Sequence, residues 1–160
     1  MPYRIDEFGR FDAADRERLA LIGIRTTGEL IQVCATAEDR ARIRRLTGLD
    51  RELLLRWVHL ADLMRIEGIG RQYAELLGES GAGTVVMLRL AEPRKLAGKV
   101  LTANRELKLA KTTPSEETIV RWVDEARRLA PRVFSSEKRG LGAHRSEWGN
   151  DDRRAHGATG

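Results

Sequence analysis

Leu49 to Gly70 reads LDRELLLRWVHLADLMRIEGIG. Apolar side chains at Leu53, Leu54, Trp57, Val58, Leu60, Ala61, Leu63 and Met64 follow helical spacing and cover more than half of a helix. The polar remainder is a narrow stripe of Glu52, Arg56, His59 and Asp62, with Glu52 and Arg56 at the spacing of a helical ion pair. So wide an apolar face predicts a helix buried on several sides. Its end runs into Gly68-Ile69-Gly70, where glycine accepts a positive φ that other residues resist. RQYAELLGES beyond the glycines reads as a second helix. The stretch closes one packed unit and opens the next.

The rest of the composition agrees with helices. Of the 160 residues 41% are hydrophobic but only 5% aromatic, so the core is built from Leu, Ile, Val and Ala. No window alternates as a strand would, which predicts an all-α fold. The lone Cys34 excludes an internal disulfide and points to a reducing, cytoplasmic setting. No apolar run approaches the ~20 residues of a membrane span, and no signal peptide opens the chain. A net charge of +5 is compatible with an anionic partner. Arg94, Lys95, Lys99, Arg105, Lys108 and Lys111 stand against Glu106 alone, so this single segment carries the whole net charge. It reads equally as a solvated helical face or as a surface for an anion.

An internal repeat organises the chain. Arg56-Trp57-Val58 recurs as Arg121-Trp122-Val123, 65 residues on. Upstream, Ile22 to Leu30 matches Ser80 to Leu88 at an offset of 58. Extension to the left sets Leu19 on Leu77, Phe11 on Ile69, Phe8 on Ile66 and Ile5 on Leu63. The second copy therefore carries about seven extra residues, expected around Lys99 to Lys111. In copy one, Tyr3 to Phe8 reads as a short turn or helix, and Asp12 caps a helix ending at Gly23. Thr26 or Thr27 caps the next, on which Cys34 is a small packing residue. Thr36 caps the following arginine-rich helix, Gly48 breaks it, and Asp50 caps the central helix. In copy two a Thr84-capped helix runs to Ala91 and Glu92-Pro93 starts the basic segment. Thr113-Pro114 then reads as a cap followed by proline at the first helical position of the last helix. Residues 1–62 form the first repeat, 63–134 the second, and 135–160 a disordered tail rich in glycine and mixed charge.

Leu63-Met64-Arg65-Ile66-Glu67-Gly68-Ile69-Gly70, followed by Arg71, Ala74, Leu77 and Gly81, resembles the helix-hairpin-helix motif. In that motif an apolar residue precedes Gly-apolar-Gly, and an Ala and a Leu follow on the second helix. From Ile5 to Val133 the chain is similar to paired helix-hairpin-helix domains, such as those of strand-exchange recombinases and family X polymerases. The two RWV copies and the GIRTTGEL turn resemble one family of that group, catalogued as domain of unknown function 4332. The resemblance implies a tandem, duplicated helix-hairpin-helix bundle of the SAM-like, recombinase N-terminal-like kind. It also implies phosphate binding at the hairpin. In the first copy Arg10 and Asp12 replace the two glycines, so only the second hairpin keeps the pattern.

Physical chemistry allows the same role. Glycines let the backbone approach an anion, and free N–H groups at a helix start carry the positive end of the dipole. Candidate contacts are Arg65, Gly68, Ile69, Gly70 and Arg71 at the hairpin, with Arg94, Lys95, Lys99, Arg105, Lys108 and Lys111 beyond. Against this stand Glu67 inside the hairpin and Glu75 and Glu79 after it, and the glycines alone would serve to turn the chain about a buried Ile69. Metal and cofactor sites are not expected: Cys34 has no CxxC partner, His144 and His156 fall in the tail, and His59 with Asp62 reads as a solvated stripe. No nucleophile–base pair follows from spacing, and Trp57 and Trp122 lie on apolar faces as core residues. Two functions remain: a non-catalytic, sequence-independent DNA or other nucleic-acid binding module, or a protein-interaction adaptor with no nucleic-acid contact. They differ in whether hairpin and basic segment share one surface.

Overall fold

The computed structural model describes residues 3–5 and 13–134, and these are all helix and connection, with no strand. The helices are α1 (Ala13–Leu21), α2 (Thr27–Val33), α3 (Ala37–Thr47), α4 (Arg51–Leu63), α5 (Arg71–Glu79), α6 (Val85–Leu90), α7 (Pro93–Leu107) and α8 (Glu116–Arg128). α4 packs on α2, α3, α5 and α6, which explains its wide apolar face. Trp57 is 2% exposed, and Leu54, Val58 and Leu63 are fully buried. α8 packs in turn on α6 and α7, with Trp122 at 3%.

Local structure recurs along the chain at the spacings of the sequence match. α1 and α5 begin and end 58 residues apart, and α4 and α8 begin and end 65 apart. Thr26 and Thr84 cap α2 and α6, accepting from the amides of Glu29 and Met87 at 3.1 and 3.0 Å. Gly23 and Gly81 both turn with positive φ, 88° and 84°. The amides of Ile24 and Ala82 donate back to the carbonyls of Leu19 and Leu77, each at 2.9 Å. The added length of the second half has two sources. α7 has 15 residues where α3 has 11, and eight residues rather than three lead from it into the next helix.

Several expectations are corrected. The cap of α8 is Ser115, which accepts from the Thr118 amide at 3.2 Å; Pro114 precedes it, buried, instead of opening the helix. Arg56 pairs with Glu79 of α5 at 3.2 Å and not with Glu52. Asp62 is no solvated stripe residue: it is 1% exposed and accepts from Arg65 Nε at 2.6 Å. Burial holds the Asp62 carboxyl above its ordinary pKa, with Arg65 pulling the other way. His59 is half-buried, and burial of its ring pushes its pKa down to about 3, with Arg40 adding to the effect. At the start of the chain Arg4 bridges Thr26, the Ile5 amide donates to the Arg25 carbonyl at 2.9 Å and Ile5 lies in a 3-10 turn, while residues 6–8 of the expected opening turn or helix lie outside the described residues. The Asp12 cap, Phe8, Phe11, the altered hairpin at Arg10 and Asp12, and the tail with Leu141, His144, Trp148 and His156 lie outside the described residues.

The two ends of the bundle are tied by one buried cation. Arg40, 6% exposed, donates through Nη1 to the carbonyls of Cys34 and Ala35 and through Nη2 to that of Phe134, at 3.2, 3.1 and 3.0 Å. The Phe134 amide donates to the Ala35 carbonyl at 2.7 Å, and Val133 is 1% exposed. The segment after α8 is thereby seated on the link between α2 and α3. Beside it the Cys34 thiol is fully buried and its pKa is pushed up to about 12 by that burial, which leaves it a packing residue.

Candidate nucleic-acid interface

The turn between α4 and α5 is set by side chains that the core demands. Ile66 and Ile69 are 1% and 0% exposed, and the Ile69 amide donates to the Ile66 carbonyl at 3.1 Å. Burying both isoleucines forces the chain between them outward and back. Gly68 makes that reversal at φ +91°, and a Cβ there would meet Trp122 Nε1 at 3.3 Å. Glycine is needed twice over, for the dihedral and for the close indole. Gly70 is the N-cap of α5 in extended conformation with no capping side chain, and a Cβ there would meet nothing within 4 Å. The start of α5 opens onto a hollow of about 510 Å³ bordered by Gly68, Gly70, Arg71, Gln72 and Tyr73.

The candidate cations divide into distinct groups. Arg71 borders the hollow, half-buried. Arg65 is turned away from such a role: besides Asp62, its Nη2 donates to the Ala130 carbonyl at 3.0 Å. Arg94, Lys95, Lys99 and Arg105 are exposed on α7, and Lys95 lies 3.4 Å from Glu92. Lys108 follows the helix in left-handed conformation (φ 52°) and Lys111 stands in the link to α8, both exposed. Tyr73, which borders the hollow, donates its hydroxyl to the Thr112 carbonyl at 3.1 Å. The C-terminal end of α7 and the link with Lys111 therefore adjoin the hairpin. Arg94 and Lys95 start the same helix, about 20 Å away at 1.5 Å per residue. Hairpin and basic segment meet at one end and diverge at the other.

Two acidic groups shape the electrostatics. The Glu67 amide donates to Glu125 Oε2 of α8 at 2.9 Å, so one hairpin donor already serves a carboxylate. Glu75 is buried within α5 and does not border the hollow.

Sequence reasoning missed two residues that position these parts. Asn104, 8% exposed, holds the link after α7 by accepting from the Ala110 amide at 3.0 Å. Its Nδ2 donates to the Ala110 carbonyl and to Thr113 Oγ1, at 3.1 and 2.9 Å. The available signal was a polar residue on the apolar stripe of Leu96, Val100 and Ala103. Tyr73 packs its ring 5.3 Å from that of Trp122, inclined by 52°, which joins the hairpin to α8. No signal in one sequence marks that pairing. Among the described residues no three His, Cys, Asp or Glu gather as metal ligands, and no helix is long and apolar enough to cross a membrane.

Comparison with known proteins gives one match. A family model described as "Domain of unknown function (DUF4332)" matches residues 10–129, which takes in all of α1 to α8. Neither the curated proteins nor the solved structures yield a match.

Proposed function

The chain belongs to the DUF4332 family, and from that premise we propose a non-catalytic module that binds nucleic acid through its phosphate backbone. We read it as a duplicated helix-hairpin-helix bundle, on the strength of the element bounds and caps that recur at offsets of 58 and 65. The observation that carries the functional reading is the uncapped start of α5 opening onto a hollow that adjoins the link bearing Lys111. A phosphate there meets α5 at its positive end, with Arg71 beside it. Lys108 and Lys111 extend the contact, and the exposed face of α7 follows the backbone farther. Arg65 is left out because its guanidinium is engaged. Such contacts are sequence-independent, since phosphate oxygens carry no base information. The setting is cytoplasmic, in keeping with a lone buried thiol.

A titration of duplex DNA by fluorescence anisotropy at low salt tests the reading. Binding should weaken with salt at a log–log slope of about −0.9 per phosphate contact. Lys108→Glu with Lys111→Glu should weaken every duplex alike, as should Gly70→Glu. The adaptor reading draws on Met87 and Leu90, 44% and 76% exposed one turn apart on α6. No binding at micromolar protein, or wild-type affinity in the Lys108/Lys111 double variant, would leave the adaptor as the better account.

A further inference from the structure

We propose, resting on the phosphate-binding reading above, that Tyr73 is a positioning residue whose hydroxyl sets the lysine link between α7 and α8 against the start of α5. Asn104 anchors that link at two places. It holds the amide and carbonyl of Ala110 at 3.0 and 3.1 Å, and it donates to Thr113 Oγ1 at 2.9 Å. Lys111 and Thr112 lie exposed between these anchors. What joins them to α5 is the Tyr73 hydroxyl, which donates to the Thr112 carbonyl at 3.1 Å. Tyr73 is itself held in place, since its ring packs 5.3 Å from that of Trp122, a residue 3% exposed. It stands in the first turn of α5, three residues after the uncapped Gly70. Helix start and lysine are thus kept at one separation before any ligand arrives. A link left loose would have to be ordered on binding, at a cost in conformational entropy.

Two features argue that this tie serves a ligand and not the fold. In the first repeat, 58 residues earlier, Asp15 stands where Tyr73 does and pairs with Arg18 of its own helix at 3.3 Å. There α3 passes to α4 through Gly48, Leu49 and Asp50, with no lysine. The repeat closes without a tyrosine, and the tyrosine occurs in the half that has the long basic link. The second feature is Lys108. α7 ends on it in left-handed conformation at φ 52°, where α3 ends on Gly48 at φ 75°. Glycine takes that conformation without strain and lysine does not. The strain is accounted for when the charge at the head of the link has a ligand to meet.

The test titrates the full chain against a fluorescein-labelled, mixed-sequence DNA duplex at low salt, beside nitrogen-15 relaxation of the free protein. Tyr73→Phe keeps the ring on Trp122 and removes only the hydroxyl, so its urea midpoint should stay within about 0.5 M of wild type. Order parameters of Lys111 and Thr112 should fall in the free variant. Duplex affinity should drop about three- to tenfold, with the log–log salt slope shallower by about 0.9, one phosphate contact. In a Lys111→Ala background the same tyrosine change should alter affinity by less than about twofold, because Tyr73 acts through that lysine. In a Lys95→Ala background, about 20 Å along α7, the whole drop should persist. A merely structural role would leave the two backgrounds alike. Order parameters unchanged in Tyr73→Phe would overturn the proposal with no DNA present. Duplex affinity unchanged in Tyr73→Phe, or an equal drop with and without Lys111, would overturn it while the nucleic-acid reading stands. Failure of the wild-type chain to bind duplex would remove both.

Discussion

Replacing Gly68 by alanine tests the geometry on which the hairpin rests. Two costs add at this position. A Cβ at φ +91° raises the energy of the backbone by roughly 1–2 kcal/mol, the usual penalty of left-handed conformation for an L side chain. The same Cβ lies 3.3 Å from Trp122 Nε1, so the indole must give way by a few tenths of an ångström, and Trp122 is packed at 3% exposure against Tyr73. Together they should destabilise the chain by about 1.5–3 kcal/mol. Urea unfolding followed by tryptophan fluorescence reads this as a midpoint lower by about 1 M. Gly98→Ala is the matched control: it lies within α7, exposed, with nothing within 4 Å of its Cβ. There alanine should stabilise by about 0.5–1 kcal/mol through helix propensity. A Gly68→Ala chain within about 0.5 kcal/mol of wild type would refute the claim that dihedral and indole both require glycine.

Asn104→Ala should destabilise by about 2–3 kcal/mol, because it strands the buried amide and carbonyl of Ala110; the same denaturation measurement applies, and a loss below about 1 kcal/mol would show the link to be held by other contacts. A chain ending at Phe134 should melt within a few degrees of full length, whereas one ending at Arg128 loses the burial of Val133 and Phe134, worth about 1.5–3 kcal/mol per side chain. Calorimetry of the two truncations separates these outcomes. Stability should also fall in mild acid. The folded His59 ring has its pKa near 3 against an ordinary 6.5, so the unfolded chain takes the proton first. That stability is present above pH 6.5 and drains away toward pH 3, by about 2 kcal/mol between pH 6.5 and 5. Asp62, raised above 3.8, acts in the opposite sense as the pH falls, so the measurement is the difference between wild type and His59→Gln across that range. Parallel curves would show that His59 titrates normally.

Much of the fold was legible because it rests on local rules. Thr36, Asp50 and Thr84 announce their helices by side-chain chemistry that acts over three residues, and each accepts the amide that this chemistry predicts. The burial of Trp57 and Trp122 follows from helical period alone. What failed depends on partners distant in sequence. His59 and Asp62 occupy the polar stripe of α4, yet α4 is covered by four other helices and little of its surface stays wet. Arg40 stands among four arginines of α3 and only the fold singles it out, by bringing the Phe134 carbonyl to it across 94 residues. At the candidate site the turn could be read from its glycines. The commitment of Arg65 to Asp62, the Glu125 carboxylate on the Glu67 amide and the Tyr73–Thr112 link could not, because each joins elements by side-chain reach that a sequence does not encode locally.

The same limit explains why equivalent positions carry different chemistry. At an offset of 58, Arg16 stands against Ala74, Arg18 against Leu76 and Leu19 against Leu77. α5 packs against both α4 and α7 and buries Ala74, Glu75, Leu76 and Leu77. α1 buries Leu19 alone. The inward leucine is common to both helices because the turn at Gly23 or Gly81 closes on it in each. The other positions are polar or apolar according to what covers them, and a charge under cover would cost several kcal/mol unless paired.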